Sequence, residues 1–453
     1  MFLYSHTITP RLQYIADFIS KENLDESLQI TSDAEVFDQF DGPKINYSNQ
    51  RISKNEFWIK PHTLLFERVV LPQNIQCFEV NEQKAFFKTE GDHPFDIFAA
   101  VFFLISRYEE YLPHQKDMYG RYAHQNSLAY KESFLHLPLI NLWLEDFKKS
   151  LKRKLPSLKL QTSNFKLLPT YDIDEAFCYR NKSWWKTCGG YARSIIHGRW
   201  GEIKERRNVL KGQQEDPYDS FSRIKDLHTK YHHLGAYVFI LVAEKNSRYD
   251  KNILPFKKPL QEVIRKFFEK EPAWVKTPKP ILHTGLHPSW QSGDNPTLIK
   301  KELDLLQYII GVELQGSRQH YIRFTLPATF RHLLDAGIRN DYSMGYGSIN
   351  GFRASVASSF YWYDLEKNKK TSLELHPFCY MDANSFFEQK YTPQQALEEM
   401  LQYFNIIKSV NGTMITIWHN TFLGTHKRFA EWREVYEEFI SKIYHQIPAV
   451  GSK

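Results

Sequence analysis

Between residues 166 and 444 short apolar runs alternate with amphipathic stretches, and this alternation restricts the fold more than any other feature of the chain. The runs fall at 166–173, 235–243, 280–288, 316–324, 338–345, 372–382 and 413–419. Segments of helical period lie at about 219–233, 257–270, 296–310, 327–336, 391–410 and 427–444. Strands that alternate with helices build parallel βα units, because each parallel pair needs a long crossover. Seven such units predict an α/β fold, a distorted seven-stranded (β/α) barrel over 166–446. In such barrels catalytic residues stand at the C-terminal ends of the strands.

The first 150 residues read differently, as a smaller mixed α/β domain. The stretch 95–111 (FDIFAAVFFLISRYEEY) predicts a buried helix and 141–151 a second one, while 52–90 is richer in short strand-like runs. Nothing in this part has metal-ligand or nucleophile spacing. The charged, proline-marked stretch 148–156 and the polar residues up to Phe165 predict a linker, placed at 151–165. With 453 residues, 42% hydrophobic and 25% charged, the chain can bury a large core, which excludes whole-chain disorder. No apolar run approaches the roughly 20 residues of a membrane span. The N-terminus has no basic start, apolar core or small-residue cleavage site, so a cytoplasmic protein is expected. Cys77, Cys178, Cys188 and Cys379 form no CxxC pair, which fits reduced thiols.

Polar groups recur at the expected strand ends. The first run ends in Thr170-Tyr171-Asp172-Ile173-Asp174. Carboxylates at i and i+2 on a strand share a face, so one can bind a metal while the other stays free as a base. Alone, such a pair is more often two solvated loop acids or a helix cap. The third run holds His283-Thr284-Gly285-Leu286-His287. Histidines four apart meet on one face of a helix or a tight loop, and imidazole suits zinc, cobalt or nickel. Joined to the aspartates they predict an Asp/His/His set with open positions on the ion. The fourth run carries Arg318-Gln319-His320-Tyr321, the fifth Asp341-Tyr342-Ser343 and the last Trp418-His419-Asn420. A single strand-end histidine is ordinarily a hydrogen-bonded structural residue; here the order of the groups is the informative feature.

That order, TYDID, HTGLH, RQHY, DYS and IWH, resembles the motifs of the polysaccharide deacetylase family, the NodB-homology carbohydrate esterases, over about 165–445. The longer strings SRQHYIRF, AGIRNDYSMGYGSINGFRAS and WHNT are similar to those of a bacterial subgroup with an extra N-terminal domain. They also resemble the barrel of allantoinase-like amide hydrolases. The resemblance implies a hydrolase that uses a divalent metal, zinc first and cobalt or nickel next, to remove N- or O-acetyl groups from a sugar or a precursor of a surface polysaccharide. By motif position, Asp172 matches the general base, and Asp174, His283 and His287 the metal ligands. Arg318 matches the arginine that orients the base, and Tyr321 the position whose backbone N–H binds the oxyanion. His419 matches the general acid and Asp341 the carboxylate that tunes it. The chain departs from the usual pattern in four places. Ile173 separates the two aspartates, Glu175-Ala176 replaces the Gly-Pro that often follows the first motif, His320 stands where the third motif usually has proline, and 77 residues separate Asp341 from His419. His376 and Asp382 therefore compete for a place in the site.

Net charge is +7, and the window 181–215 carries much of it, with eight Lys/Arg against three Glu. No finger, basic zipper or RNA-binding signature accompanies it, so nucleic acid is not expected as a partner. The same window holds Trp184, Trp185, Tyr191, Ile195, Ile196 and Trp200. Aromatics among cations suit an anionic membrane surface or a lipid-linked glycan, which would place the protein peripherally at the inner membrane. The plainer expectation is a helical flap packed against the N-terminal domain. Besides sugar deacetylation, two readings stay open: hydrolysis of a small amide on the same barrel, and glycan binding without catalysis. Oligomeric state is not readable from the sequence.

Overall fold

A computed structural model describes residues 1–25, 27–161, 163–232, 234–268 and 282–447. Residues 280–281 of the third expected strand, 269–270 and 233 of two expected helices, and 162 of the expected linker lie outside the described residues.

The N-terminal part is built on four short parallel strands, β1 (Phe2–Tyr4), β2 (Gln29–Thr31), β3 (Lys44–Tyr47) and β4 (Phe57–Ile59), in the order β2-β1-β3-β4. A hairpin of β5 (Phe78–Val80) and β6 (Gln83–Ala85) follows. The apolar stretch expected as a helix forms one at Ile97–Ile105, and each of its residues is buried. It starts on Asp96, whose side chain accepts from the N–H of Ala99. It ends before Arg107, which adopts φ 54. The helix Leu139–Lys154 runs through the first four residues of the expected linker. Lysines and Arg153 dominate the end of this helix and hide its period, but Phe147, Leu151 and Leu155 recur every four residues and are buried.

Among the described residues, the second part is organised by one sheet of nine strands. They are β7 (Lys166–Ile173), β8 (Ala236–Leu241), β9 (Leu282–His287), β10 (Gly316–Ser317), β11 (Asn340–Asp341), β12 (Phe360–Asp364), β13 (Lys369–Leu375), β14 (Tyr380–Met381) and β15 (Thr413–His419). Their order is β12-β13-β11-β10-β9-β8-β7-β15-β14. All neighbours pair in parallel except β12 with β13. The expected seven-stranded barrel is thus corrected to a nine-stranded sheet with eight parallel strands. Two departures make the difference: β12 (Phe360–Asp364) lies outside the expected runs, and the run 372–382 divides. Pro377 has no N–H to donate to a ladder, so the run breaks into β13 and β14. These two lie near opposite edges of the sheet. Laid flat, seven steps of about 4.8 Å would separate them by about 34 Å. The chain from Leu375 to Tyr380 reaches at most about 18 Å. The sheet must therefore curl until its edges approach, although no ladder joins β13 to β14 among the described residues.

Helices Phe221–Lys230, Lys258–Phe268, Pro296–Ile310, Ala328–Ala336, Pro393–Ser409 and Ala430–Tyr444 follow the strands as their periods predict. Pro296–Ile310 shows the local code: Asn295 caps two N–H groups, proline takes the first position, and Gly311 ends the helix at φ 79. Two further helices, Trp184–Ile196 and Trp200–Leu210, form the excursion after β7. Among the described residues no helix is long and apolar enough to cross a membrane.

The two parts share buried polar contacts. Arg353 donates through Nε and Nη2 to both oxygens of Glu110, at 2.8 and 2.6 Å, and Arg107 Nε adds a bond of 2.8 Å. Burial pushes the Glu110 carboxyl up, but Arg353 and Arg107 outweigh it and hold it at about 2. Glu110→Gln leaves two buried guanidinium groups without their carboxylate, and should cost about 3–5 kcal/mol of stability at pH 7. Because the folded value is depressed, this stabilisation is complete above the ordinary glutamate value and is lost as pH falls towards about 2. Denaturant melts should therefore show a smaller gap between the variant and wild type at pH 3 than at pH 7. An equal gap at both pH values would contradict the assignment.

Candidate active site

The chemistry collects at the C-terminal ends of the parallel strands, around a cavity of about 620 Å³. Register does much of the placing. β15 pairs with β7 so that His419 stands beside Asp172, and Asp174 follows directly after β7 ends. β9 ends at His287, while Arg318 and His320 follow the two-residue strand β10.

Three of these side chains form a cluster. The ligand atoms of Asp174, His287 and His320 lie within 4.8 Å of one another. His287 Nε2 is 3.1 Å from Asp174 Oδ1, and His320 Nε2 is 3.5 Å from Asp174 Oδ2. Each imidazole is fixed from behind, His287 Nδ1 by the carbonyl of Arg318 at 2.5 Å and His320 Nδ1 by Asp250 Oδ1 at 2.9 Å. Such outer partners set the tautomer and aim the other nitrogen inward. Among the described residues, His287 Nε2 and Asp174 Oδ1 are buried without a hydrogen-bond partner. Two aimed imidazoles and a carboxylate with orphaned inner atoms fit a divalent cation of the zinc type. The electrostatics agree. Burial pushes Asp174 up, but His320 and His287 outweigh it and hold it well below the usual carboxylate range. Burial pulls His320 down, but Asp174 and Asp250 lift it to about 9.

Two acid–base pairs flank the cluster. Asp172 is buried, and its Oδ1 accepts from Arg318 Nη1 at 2.9 Å. Its Oδ2 is turned to the cluster, 3.8 Å from His287 Nε2. Arg318 is itself fully buried and also donates to Thr170 Oγ1 and to the carbonyl of Tyr342. Opposite, His419 Nδ1 is 2.6 Å from Asp382 Oδ1, and its Nε2 is 3.7 Å from Asp174 Oδ2. Burial pulls the His419 imidazole down, but Asp382 and Asp174 outweigh it and lift it to about 10.

Of the expected site residues, the structure brings Asp172, Asp174, His287, His419 and Tyr321 to the cavity, with Arg318 bonded beneath it. Tyr321 sits in the left-handed region at φ 60, a strained conformation that nearby contacts must hold. Two expected residues are placed elsewhere. His283 is an exposed residue near the start of β9, its ring 4.9 Å from that of Tyr237. The HxxxH spacing gathers two imidazoles on a helix, whereas on a strand four residues span about 13 Å. His320 occupies the place expected of His283. Asp341 is buried on β11, five ladders from β15, and its carboxylate accepts from Ser317 Oγ and from Ser343 N and Oγ. Asp382 is the carboxylate at His419. His376, the other competitor for a place in the site, is held outside the cavity by Ser359 and Asn340.

The N-terminal part also reaches the cavity. Tyr119 and Arg121 line it. Arg121 Nη1 donates to the carbonyls of Tyr321 and Gly347, at 3.2 and 2.8 Å. Tyr119, Tyr249 and Tyr321 form an aromatic wall with ring centroids 5.2–5.8 Å apart. No spacing in the sequence announced this contribution.

Residues 1–156 match a family of unknown function, DUF7033. The comparison with curated proteins gives no match. Among solved structures, the chain is similar to a candidate polysaccharide deacetylase from Mycobacterium smegmatis (13% identity, TM-score 0.39, 63% of this chain and 85% of that one). It is also similar to an allantoinase (14%, 0.39, 63% and 87%) and to a polysaccharide deacetylase from Bacillus cereus (8%, 0.29, 62% and 88%). The reading of the site therefore rests on its geometry.

Calorimetric titration with zinc tests the ligand set. His287→Ala, His320→Ala and Asp174→Ala should each lose measurable binding, and His283→Ala should keep the wild-type affinity. Asp250→Asn, which removes the negative charge behind His320, should weaken binding about 10- to 100-fold. A loss in His283→Ala equal to that in His320→Ala would overturn the set.

Proposed function

We propose that the cavity is the active site of a hydrolase that removes an acetyl group from an acetylated sugar, cutting an amide or ester bond. The observation that carries this reading is the facing of two preset acid–base pairs, Arg318–Asp172 and Asp382–His419, across a cluster suited to a divalent cation. The resemblance of the motifs to polysaccharide deacetylases supports the same reaction. So does the tyrosine wall, an apolar surface on which the C–H face of a pyranose can pack.

Asp174, His287 and His320 would hold the cation, which when bound lowers the pKa of water and polarises a carbonyl. Asp172 has one oxygen engaged by Arg318, so the other is left to take the proton of the attacking water. Arg318 keeps that carboxylate fixed, and the buried pair excludes bulk solvent from its side of the site. The backbone at Tyr321, braced by Arg121, lines the space where the developing oxyanion needs an N–H donor. His419 is bonded to Asp382 through Nδ1, so the proton for the departing amine or alcohol sits on Nε2.

Acetate release from N- and O-acetylated sugar oligomers, with zinc supplied, tests the proposal. Asp172→Asn should lower kcat about 10²- to 10⁴-fold while zinc affinity is kept. Asp382→Asn removes the charge that lifts His419, so the alkaline limb of kcat/KM should move to lower pH by about one unit or more. Turnover unchanged in Asp172→Asn would falsify the assignment of the base.

A further inference from the structure

The excursion between β7 and β8 is not the packed flap that the sequence favours. On the helix Trp184–Ile196, the residues Trp184, Trp185, Cys188, Ala192, Ile195 and Ile196 fall within an arc of about 120° at 100° per residue. All six are exposed. Trp184 is 62% and Trp185 65% exposed, Ile196 is 80%, and Trp200 at the start of the next helix is 68%. An amphipathic helix ordinarily turns this stripe to the core. Here the inward side is polar and anchored. Ser194 Oγ donates to Glu202 Oε2 at 3.0 Å, and the Arg206 guanidinium lies 4.6 Å from the ring of Tyr179 and 5.4 Å from that of Tyr191. The outward stripe is therefore held out by a built contact.

We propose that this helical pair docks the protein on an anionic lipid bilayer. Charge selects the occupant. Arg193, Arg199, Lys204, Arg207 and Lys211 are exposed on the same two helices and their links, and eight Lys/Arg against three Glu leave the window 181–215 at +5. Tryptophans and aliphatics beside exposed cations match the boundary between acyl chains and anionic headgroups, where the rings sit in the interface and the cations meet the lipid charge. The pair is rooted at the cavity. Glu175 and Tyr218, both lining it, flank the excursion in the chain. Asn420 Nδ2, next to His419, donates to the carbonyls of both. Docking would thus bring the site to a substrate carried by the membrane, a lipid-linked acetylated sugar. That last step rests on the hydrolase reading; the docking does not.

Co-sedimentation of the full chain with vesicles tests it. Binding to phosphatidylcholine mixed with phosphatidylglycerol should exceed binding to phosphatidylcholine alone by about tenfold and should fall with added salt. The variant Trp184→Ser/Trp185→Ser/Ile196→Ser changes exposed side chains only and should lose about tenfold in binding, with an unaltered Tm and unaltered acetate release from soluble sugars. Wild-type protein that stays in the supernatant with both vesicles, or a triple variant that binds as well as wild type, overturns the proposal. So does a wild-type dimer that the triple variant dissolves without any lipid binding, which would assign the face to a second copy of the chain. Acetate release from soluble sugars reports on the cavity alone, so failure of the hydrolase reading and failure of docking remain distinguishable.

Discussion

A guanidinium group with no solvent exposure has to be met by a carboxylate and by fixed acceptors, and Arg318 is met from three directions. Its Nη1 is shared between Thr170 and Asp172 on β7, its Nε is taken by the carbonyl of Tyr342 after β11, and its guanidinium carbon lies 4.4 Å from the ring centroid of Phe239 on β8. Its own carbonyl accepts from His287 after a two-residue strand that could not hold the residue by ladder bonds alone. One residue therefore sets the orientation of Asp172 through its side chain and the tautomer of His287 through its backbone carbonyl. Removing it would leave Asp172 buried and unpaired, which costs more than an exposed ion pair ever returns. Stability and chemistry depend here on the same contact.

The N-terminal part enters the site by the same logic of fixed backbone. Tyr321 and Ile322 both have positive φ, a conformation that non-glycine residues adopt only when their surroundings impose it. Arg121 supplies part of that restraint by holding the Tyr321 carbonyl, and it is oriented by Asp117 at 2.6 Å. The buried Glu110–Arg353 pair and the backbone bonds Ile140 N–H to Ser355 and Phe352 N–H to Leu135 tie the two parts firmly enough to transmit it. The cavity is thus assembled from both parts of the chain.

What the sequence made legible follows from the range of the interactions involved. β7 and β15 are long apolar runs, so their ends, and with them Asp172, Asp174 and His419, could be located by pattern alone. β10 and β11 are two residues each and are fixed by neighbours rather than by their own composition. The distinction between His283 and His320 was illegible because spacing carries no geometry until the secondary structure is known. On β9 the pair is split along the strand, while the loop after β10 folds His320 back onto Asp250. The charged end of Leu139–Lys154 hid the last turn of an expected helix for a related reason: its solvated face outnumbers its buried one. The outward apolar stripe at 184–196 was visible as composition, but only the fold shows which way it faces.

The choice between Asp341 and Asp382 turns on a single backbone property. Asp341 has its oxygens engaged by Ser317 and Ser343 and stays on the far side of the curled sheet, and burial lifts its carboxyl to about 6. Had 372–382 continued as one strand, Asp382 would have extended beyond β13 beside β11. Pro377 stops that ladder, and the chain crosses the gap between the sheet edges to start β14 next to β15. The crossing is what sets Asp382 against both the N–H and the imidazole of His419, at 2.7 and 2.6 Å. The break that leaves the sheet open as a barrel is therefore also the device that supplies the histidine with its carboxylate.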